Sequence, residues 1–159
     1  MKSLVTFYSF SGHTDKVARI FKETLKNRGE VDVQRLRPSD EARNFFSQAK
    51  AAFTGRRARL GADVKYDVSS YDIVLIGSPV WAFRPTPAIN TFLDKVTGLG
   101  GKKTVVLLTS GSGAGVGKCF ENIRKTLEEK GVSAVSGINI SDTKLNDEGF
   151  IRSELEKVI

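Results

Sequence analysis

The chain has 159 residues, 40% of them hydrophobic, and a net charge of +7 at pH 7. This length and composition predict one globular domain spanning residues 1–159. The single cysteine excludes an intramolecular disulfide framework, and the single histidine argues against a His-rich metal site, so we predict no metal ligands. No apolar run is long enough for a signal peptide or a membrane span, which leads us to expect a cytoplasmic protein.

The positive charge has two interpretations. It could attract an acidic partner or an anionic ligand, or it could simply be a solvated basic surface. The densest basic cluster is Arg56-Arg57-Ala58-Arg59, which lies in a predicted loop. No basic block is interleaved with aromatic residues, so we predict no nucleic-acid partner.

Strands and helices alternate along the first half of the chain. An apolar run from Leu4 predicts a buried strand that enters a hydroxyl-rich loop, and apolar residues at helical spacing follow as far as Leu25. Residues 31–36 alternate, as a half-exposed edge strand would. Residues 55–70 lack periodicity and predict a surface loop. Before that loop, Ser39 or Asp40 can cap a second helix, whose predicted apolar face consists of Ala42, Phe45, Phe46, Ala49 and Phe53.

The second half begins with a strand at residues 72–76, which are solidly apolar, as expected for a strand covered on both faces. The prolines in residues 77–85 predict an end to regular structure there. Thr86 and Pro87 then provide an N-cap and a first helical residue.

Two further strand–helix units complete the chain. Residues 104–109 predict another buried strand, followed by a Gly-rich turn at 110–117 and a helix. Cys119 lies on the predicted buried face of this helix, which favours a packing role over a redox role. Residues 132–140 predict a weaker edge strand. The last helix is predicted to start near Asn146 or Asp147.

Five strands alternating with five helices predict a three-layer α/β/α sandwich around a parallel sheet. The first, third and fourth strands look buried and the other two look like edges, which favours the order 2-1-3-4-5. Ligands bind such sheets beyond the carboxyl ends of the strands. Three loops should converge there: Ser9–Thr14, Ser78–Arg84 and Ser110–Gly117.

Each of the three loops has a ligand interpretation and a structural one. The first can hold a phosphate at a helix start, or its hydroxyls can be ordinary caps. In the second, Trp81 can offer a ring to a ligand or act as a lid on the core. The third can approach a flat polar ring, or simply form a tight turn. Taken together, a phosphate and a planar ring describe a mononucleotide, and neither a Gly-x-Gly-x-x-Gly nor a Walker sequence occurs in the first loop.

The segments Ser9–Thr14, Gly77–Trp81 and Ser110–Gly117 resemble the loops of the flavodoxin-like family, and the resemblance covers nearly the whole chain. It implies non-covalently bound FMN and one- or two-electron redox chemistry, with the chemistry carried by the flavin and no catalytic residue required. The residues that the resemblance assigns to FMN are Ser9, Phe10, Ser11, Gly12, His13, Thr14, Pro79, Val80, Trp81, Ala82, Phe83, Ser110, Gly111, Ser112 and Gly113.

Three positions depart from the family pattern. His13 stands where Asn is usual; it could approach the phosphate or face solvent. Ala82 stands where Gly is common, and its Cβ should make a positive φ costly. The third loop has no Tyr or Trp to cover the flavin, so either Phe10 or Phe83 covers it, or that face is open to a substrate.

The resemblance leaves two redox functions open. The first is an electron carrier between partner proteins that could have acidic docking surfaces, and we favour it. The alternative is an FMN-dependent NAD(P)H:quinone-type oxidoreductase, in which Arg56, Arg57, Arg59 and Arg84 would contact the nicotinamide nucleotide. A phosphoacceptor signalling domain is disfavoured because the acidic cluster it needs is missing. Asp142 could face the site or be part of an ordinary turn.

Overall fold

The computed structural model describes residues 1–40, 50 and 54–159. Its centre is a five-stranded, fully parallel sheet in the order β2-β1-β3-β4-β5. The strands are β1 (Lys2–Phe7), β2 (Glu30–Arg35), β3 (Ile73–Pro79), β4 (Lys103–Ser110) and β5 (Val135–Ser141). The predicted strand order and edge strands are therefore confirmed.

Helices cover both faces of this sheet. In the described part of the chain they are α1 (His13–Lys26), α2 (Pro87–Lys95), α3 (Val116–Glu129) and α4 (Glu148–Glu156). One core contains α2 and α3 with Ile89, Phe92 and Ile123, and the other contains α1 and α4 with Phe21 and Ile151. Burying an apolar stripe from each helix against the sheet gives the three layers that alternation predicts. None of the described helices has the length and apolarity to cross a membrane.

Helix ends follow the sequence signals. Thr86 precedes α2 and Pro87 is its first residue, as predicted, although the Thr86 hydroxyl makes no capping bond. Asp147 caps α4 by accepting a hydrogen bond from the Phe150 N–H at 2.9 Å. The helix predicted to carry Ala42, Phe45, Phe46, Ala49 and Phe53 lies outside the described residues.

One boundary was predicted wrongly. The prolines suggested that regular structure stops at Gly77, but β3 continues to Pro79, which pairs with Thr109 of β4. The strand tolerates this proline because its missing N–H points towards the β1 side, where pairing has already ended at Phe7–Gly77. The next residue, Val80, still donates its N–H to the Thr109 carbonyl at 2.9 Å. Regular strand structure therefore extends to Pro79, further along the second loop than the sequence indicated.

The loop after residue 54 contains neither helix nor strand, as predicted, but it is tied to β2. Gln34 accepts a hydrogen bond from the Lys65 N–H at 2.7 Å through its side-chain oxygen. Val68 and Tyr71 are buried in the core at the end of this loop. The hydrogen bond between Gln34 and Lys65 therefore holds part of this loop against β2, an edge strand of the sheet.

Candidate functional site

The carboxyl ends of β1, β3 and β4 bring the three predicted loops around one cleft. This cleft has a volume of about 250 Å³ and is lined by Ser11, His13, Pro79, Val80, Trp81, Thr109, Ser110, Gly111 and Asp142. It lies where β1 and β3 are neighbours but their connections leave the sheet on opposite faces, the place where ligands bind in this topology.

The first loop ends in an uncapped helix start. Gly12 is the N-cap of α1, with a left-handed φ of 93°, and no side chain caps this end. The first intrahelical bond is made by the Lys16 N–H, which donates to the Gly12 carbonyl at 2.9 Å. The N–H groups of His13, Thr14 and Asp15 precede that bond and have no intrahelical partner. The interpretation of the hydroxyls as ordinary caps of α1 is therefore wrong, and the helix start is left able to accept an anion.

The hydroxyls of the first loop instead shape its backbone. Ser9 is buried and its Oγ accepts a hydrogen bond from the Gly12 N–H at 3.1 Å. Thr14 is buried too, and its Oγ1 lies 2.8 Å from Oγ1 of Thr109 on β4. Ser11 is exposed and is the hydroxyl residue of the loop that lines the cleft. Ser9 and Thr14 thus hold the loop in place from behind.

The second loop closes as a two-residue hairpin. The Trp81 N–H donates to the Arg84 carbonyl at 3.1 Å, and the Arg84 N–H donates back to the Trp81 carbonyl at 2.9 Å. Ala82 and Phe83 occupy the turn with φ values of 48° and 67°. Positive φ at both central residues is what a type I′ turn requires. The Cβ of Ala82 makes this conformation costly, by about 1 kcal/mol, and the reciprocal hydrogen bonds between Trp81 and Arg84 hold the turn in it.

Trp81 is a lid on the core that also faces the cleft. Only 6% of its surface is exposed, and it belongs to the cluster packed under α2 and α3. Its ring meets Tyr8 and Phe10 edge-on, with centroids 5.6 Å and 5.7 Å away. Both alternatives considered for Trp81 therefore have a physical basis, since one ring forms the core boundary and part of the cleft wall.

The third loop supports the tip of the hairpin. Gly115, the N-cap of α3, has a φ of 78°, and a Cβ there would overlap the Phe83 ring. Phe83 nevertheless leaves 51% of its surface exposed, and Phe10 leaves 38%. The two phenylalanines are thus half-open apolar groups on the rim. Because both rings are partly exposed, they can pack against a bound ligand.

One cleft residue was weighed in the sequence without being assigned to the site. Asp142 opens a 3₁₀ turn (Asp142–Lys144) directly after β5, and its Oδ1 lies 3.0 Å from Nδ1 of His13. The signal was present, since Asp142 follows the carboxyl end of a strand, but only the fold places it beside the first loop. Thr109 was missed because it reads as an ordinary strand residue.

The structure separates the remaining assigned residues by position. Gly12 is the N-cap of α1 and Ala82 lies in the hairpin turn, and neither residue lines the cleft. Ser112 and Gly113 are exposed on the third loop and do not line the cleft.

The arginines considered for a nicotinamide nucleotide do not form one group. Arg57 pairs with Asp94 of α2 through two hydrogen bonds, one of them 3.0 Å from Nη2 to Oδ1, and this contact raises the pKa of Arg57. Arg59 is held through its backbone, whose N–H donates to Asp40 Oδ1 at 2.8 Å. Arg56 and Arg84 are exposed and form no ion pair with any residue that the structure describes.

The described residues hold no cluster of three or more His, Cys, Asp or Glu side chains suited to a metal ion. Cys119 is fully buried on α3, and desolvation raises the pKa of its thiol to about 12, so it remains a neutral packing residue.

The sequence also matches a known family. The model of the family described as Flavodoxin matches residues 2–158. The chain belongs to the flavodoxin family. The flavodoxin fold explains why three loops from distant parts of the sequence meet at one edge of the sheet.

Three solved structures share this fold over nearly the whole length of both chains. A presumed flavoprotein from Bacteroides eggerthii DSM 20697 is 23% identical, with a TM-score of 0.76 over 99% of this chain and 97% of that one. A flavoprotein from Lactobacillus acidophilus NCFM, solved in complex with FMN, is 20% identical, with a TM-score of 0.67 over 93% and 98%. Oxidised Flavodoxin 2 from Bacillus cereus is 20% identical, with a TM-score of 0.65 over 99% of both chains.

Proposed function

We propose that this protein binds FMN and carries electrons between partner proteins. The observation that carries the proposal is the uncapped start of α1, whose free N–H groups lie beside a cleft at the sheet position where flavodoxin-fold ligands bind. An anion of the size of one phosphate monoester suits this helix start. When bound, FMN would supply the one- or two-electron chemistry.

The residues around the cleft divide into three tasks. Ser11 and the N–H groups of His13 and Thr14 would hold the phosphate. The Trp81 ring would lie against the flavin ring, and the exposed backbone around Gly111 would form hydrogen bonds to the polar edge of the flavin. The other residues that we assign to this site would shape the loops or flank the ring: Ser9, Phe10, Gly12, Pro79, Val80, Ala82, Phe83, Ser110, Ser112 and Gly113.

A basic groove next to the site supports a partner with an acidic docking surface. Arg19, Lys22, Arg35 and Arg37 line a groove of about 470 Å³ along α1 and β2, where they outnumber the carboxylates of Asp15 and Asp63. Arg35 also donates to the Ser9 carbonyl of the first loop at 3.0 Å, so the groove adjoins the cleft. A positive groove beside the electron-transfer edge would raise the rate of encounter with an acidic partner at low salt.

The positive charge also bears on the redox potential. If part of the net charge of +7 lies near the flavin ring, it favours the anionic form of reduced flavin by Coulomb attraction. We therefore expect a less negative second reduction step than acidic carriers of this family show. A redox titration that gave a strongly negative value would contradict this expectation.

The second candidate function is an FMN-dependent NAD(P)H oxidoreductase. It is favoured by the third loop, which contributes no aromatic ring over the cleft, and by the exposed Arg56 and Arg84, which form no ion pair within the described part of the chain. An open flavin face and two exposed guanidinium groups are what a nicotinamide nucleotide would need.

One experiment tests both candidates. The purified protein is examined by visible spectroscopy, loaded with FMN if necessary, and mixed with NADPH or NADH without oxygen. A bound flavin that neither nucleotide bleaches supports the carrier, and prompt bleaching supports the oxidoreductase. A colourless protein that takes up no FMN overturns both.

A further inference from the structure

His13 and Asp142 form a hydrogen-bonded pair in the cleft, and neither the family's loop pattern nor helix capping explains it. Their side chains come from opposite ends of the sequence and meet at 3.0 Å, with 43% and 44% of their surfaces exposed. Both line the cleft that the first loop borders. Any anion placed at the start of α1 therefore lies close to a carboxylate, which would repel it, and to an imidazole, whose charge depends on pH.

The hydrogen bond fixes which imidazole nitrogen carries a proton. An ionised carboxylate can only accept hydrogen bonds, so Nδ1 of His13 must donate to Asp142. In the neutral ring, Nε2 is then a bare acceptor with nothing to offer a phosphate. Only the protonated ring has a second N–H, and only then is the charge of Asp142 balanced.

The surrounding charged groups do not substitute for His13. The third loop, residues 110–115, carries no charged residue, and Arg84, the one charged residue of the second loop, does not line the cleft. The charged side chains on neighbouring elements are occupied elsewhere: Asp15 with Arg19 and Arg35, Lys16 with Asn146, and Lys144 with Asp147. Among the described residues, His13 and Asp142 are the titratable groups that line the cleft.

We propose that His13 and Asp142 together make phosphate binding in this cleft proton-coupled, with His13 taking up a proton when FMN binds. The inference rests on the proposed FMN site and concerns how the cleft binds the phosphate group of FMN. Because binding favours the protonated ring, FMN affinity should fall as the pH rises above neutral. Riboflavin, which has the same ring system and no phosphate, should show no such fall.

The test measures the affinity of the apoprotein for FMN and for riboflavin by flavin fluorescence. From about pH 7 to about pH 8.5, the FMN affinity of the wild type should fall about fivefold, while that of riboflavin stays level. Calorimetry in buffers of different ionisation enthalpy should show proton uptake with FMN and none with riboflavin.

Two variants separate the charge effect from a structural one. His13→Asn should bind FMN more weakly at neutral pH, with a flat pH profile and no proton uptake, because Asp142 is left unbalanced. Asp142→Asn should bind FMN at least as tightly as the wild type at about pH 8.5, because the repulsion is gone. Lys125→Gln, an exposed charge change on α3 that does not line the cleft, should keep the wild-type profile.

The possible outcomes distinguish this inference from the proposed function. A pH-independent FMN affinity, or an Asp142→Asn variant as weak as His13→Asn, would overturn the proton coupling while leaving FMN binding intact. Failure to bind either flavin would overturn the FMN site and the inference with it. The unfolding midpoint of each apoprotein variant checks that the fold is retained.

Discussion

The first loop and the hairpin lie on either side of the same cleft but satisfy their backbones in opposite ways. The first loop leaves N–H groups at the start of α1 without an intrahelical partner and uses buried hydroxyls only to hold its shape. The hairpin satisfies itself through two reciprocal hydrogen bonds and places Trp81 in the core. The start of α1 therefore has hydrogen-bond donors to offer to an anion, whereas the hairpin pairs its own backbone groups and is slightly strained.

This difference indicates where free energy for binding and for folding would come from. An anion at the start of α1 would accept hydrogen bonds from N–H groups that have no intrahelical partner, so the first loop should contribute to affinity. The hairpin contributes to stability through Trp81 and loses some of it through positive φ at Ala82 and Phe83. Substitutions in the two loops should thus have effects of different kinds and sizes.

The largest effect is expected at the buried ring of the hairpin. Trp81→Ala should lower the free energy of unfolding by about 3–5 kcal/mol, because it removes a 94% buried indole from the core and leaves a cavity. Chemical denaturation of the apoprotein measures this. Phe83→Ala, at the half-exposed neighbouring position, is the control and should change stability far less. Equal stabilities for Trp81→Ala and the wild type would show that the ring is not part of the core.

A smaller loss is expected in the first loop. Gly12→Ala should destabilise the apoprotein by about 1 kcal/mol, since Gly12 has a φ of 93°. No atom lies within 4 Å of the added Cβ, so the loss would come from backbone strain rather than a clash. Gly117→Ala is a matched control in α3, where the Cβ also meets nothing within 4 Å. It should instead stabilise by about 0.5 kcal/mol through helix propensity. Losses of equal size in both variants would refute the left-handed geometry of Gly12.

The smallest effect is a gain in the hairpin. Ala82→Gly should raise the free energy of unfolding by about 0.5 kcal/mol, because relief of positive φ exceeds the entropy that glycine adds to the unfolded chain. Ala114→Gly, in the third loop without positive φ, should lose about the same amount. Parallel thermal and urea denaturation of the two variants would resolve the opposite signs. A loss at Ala82 as large as that at Ala114 would mean that the turn is unstrained.

The sequence was a good guide where local pattern and burial agree. Solid apolar runs such as residues 104–109 identified the central strands, and the half-exposed pattern of residues 31–36 identified an edge, so the strand order followed. The convergence of three loops followed in turn from the order. The Thr86–Pro87 start of α2 was equally readable, since both residues act through local backbone geometry.

The sequence was a poor guide where tertiary partners override local preference. Alanine disfavours positive φ, yet the paired N–H and carbonyl groups of Trp81 and Arg84 impose it on Ala82. Proline opposes strand continuation, yet β3 extends to Pro79 because the pairing of β3 with β1 has already ended at Gly77. The contact between His13 and Asp142 spans 129 positions and has no local signature.

The most direct test of the account is an NMR titration of ¹⁵N-labelled apoprotein with FMN and, in parallel, with riboflavin. We expect large amide shifts at His13, Thr14 and Asp15 with FMN and much smaller ones with riboflavin, because only FMN places an anion at these N–H groups. Amides near Trp81 and Gly111 should respond to both flavins. Binding of FMN without a shift in the His13–Asp15 amides would contradict the claim that the open start of α1 holds the phosphate.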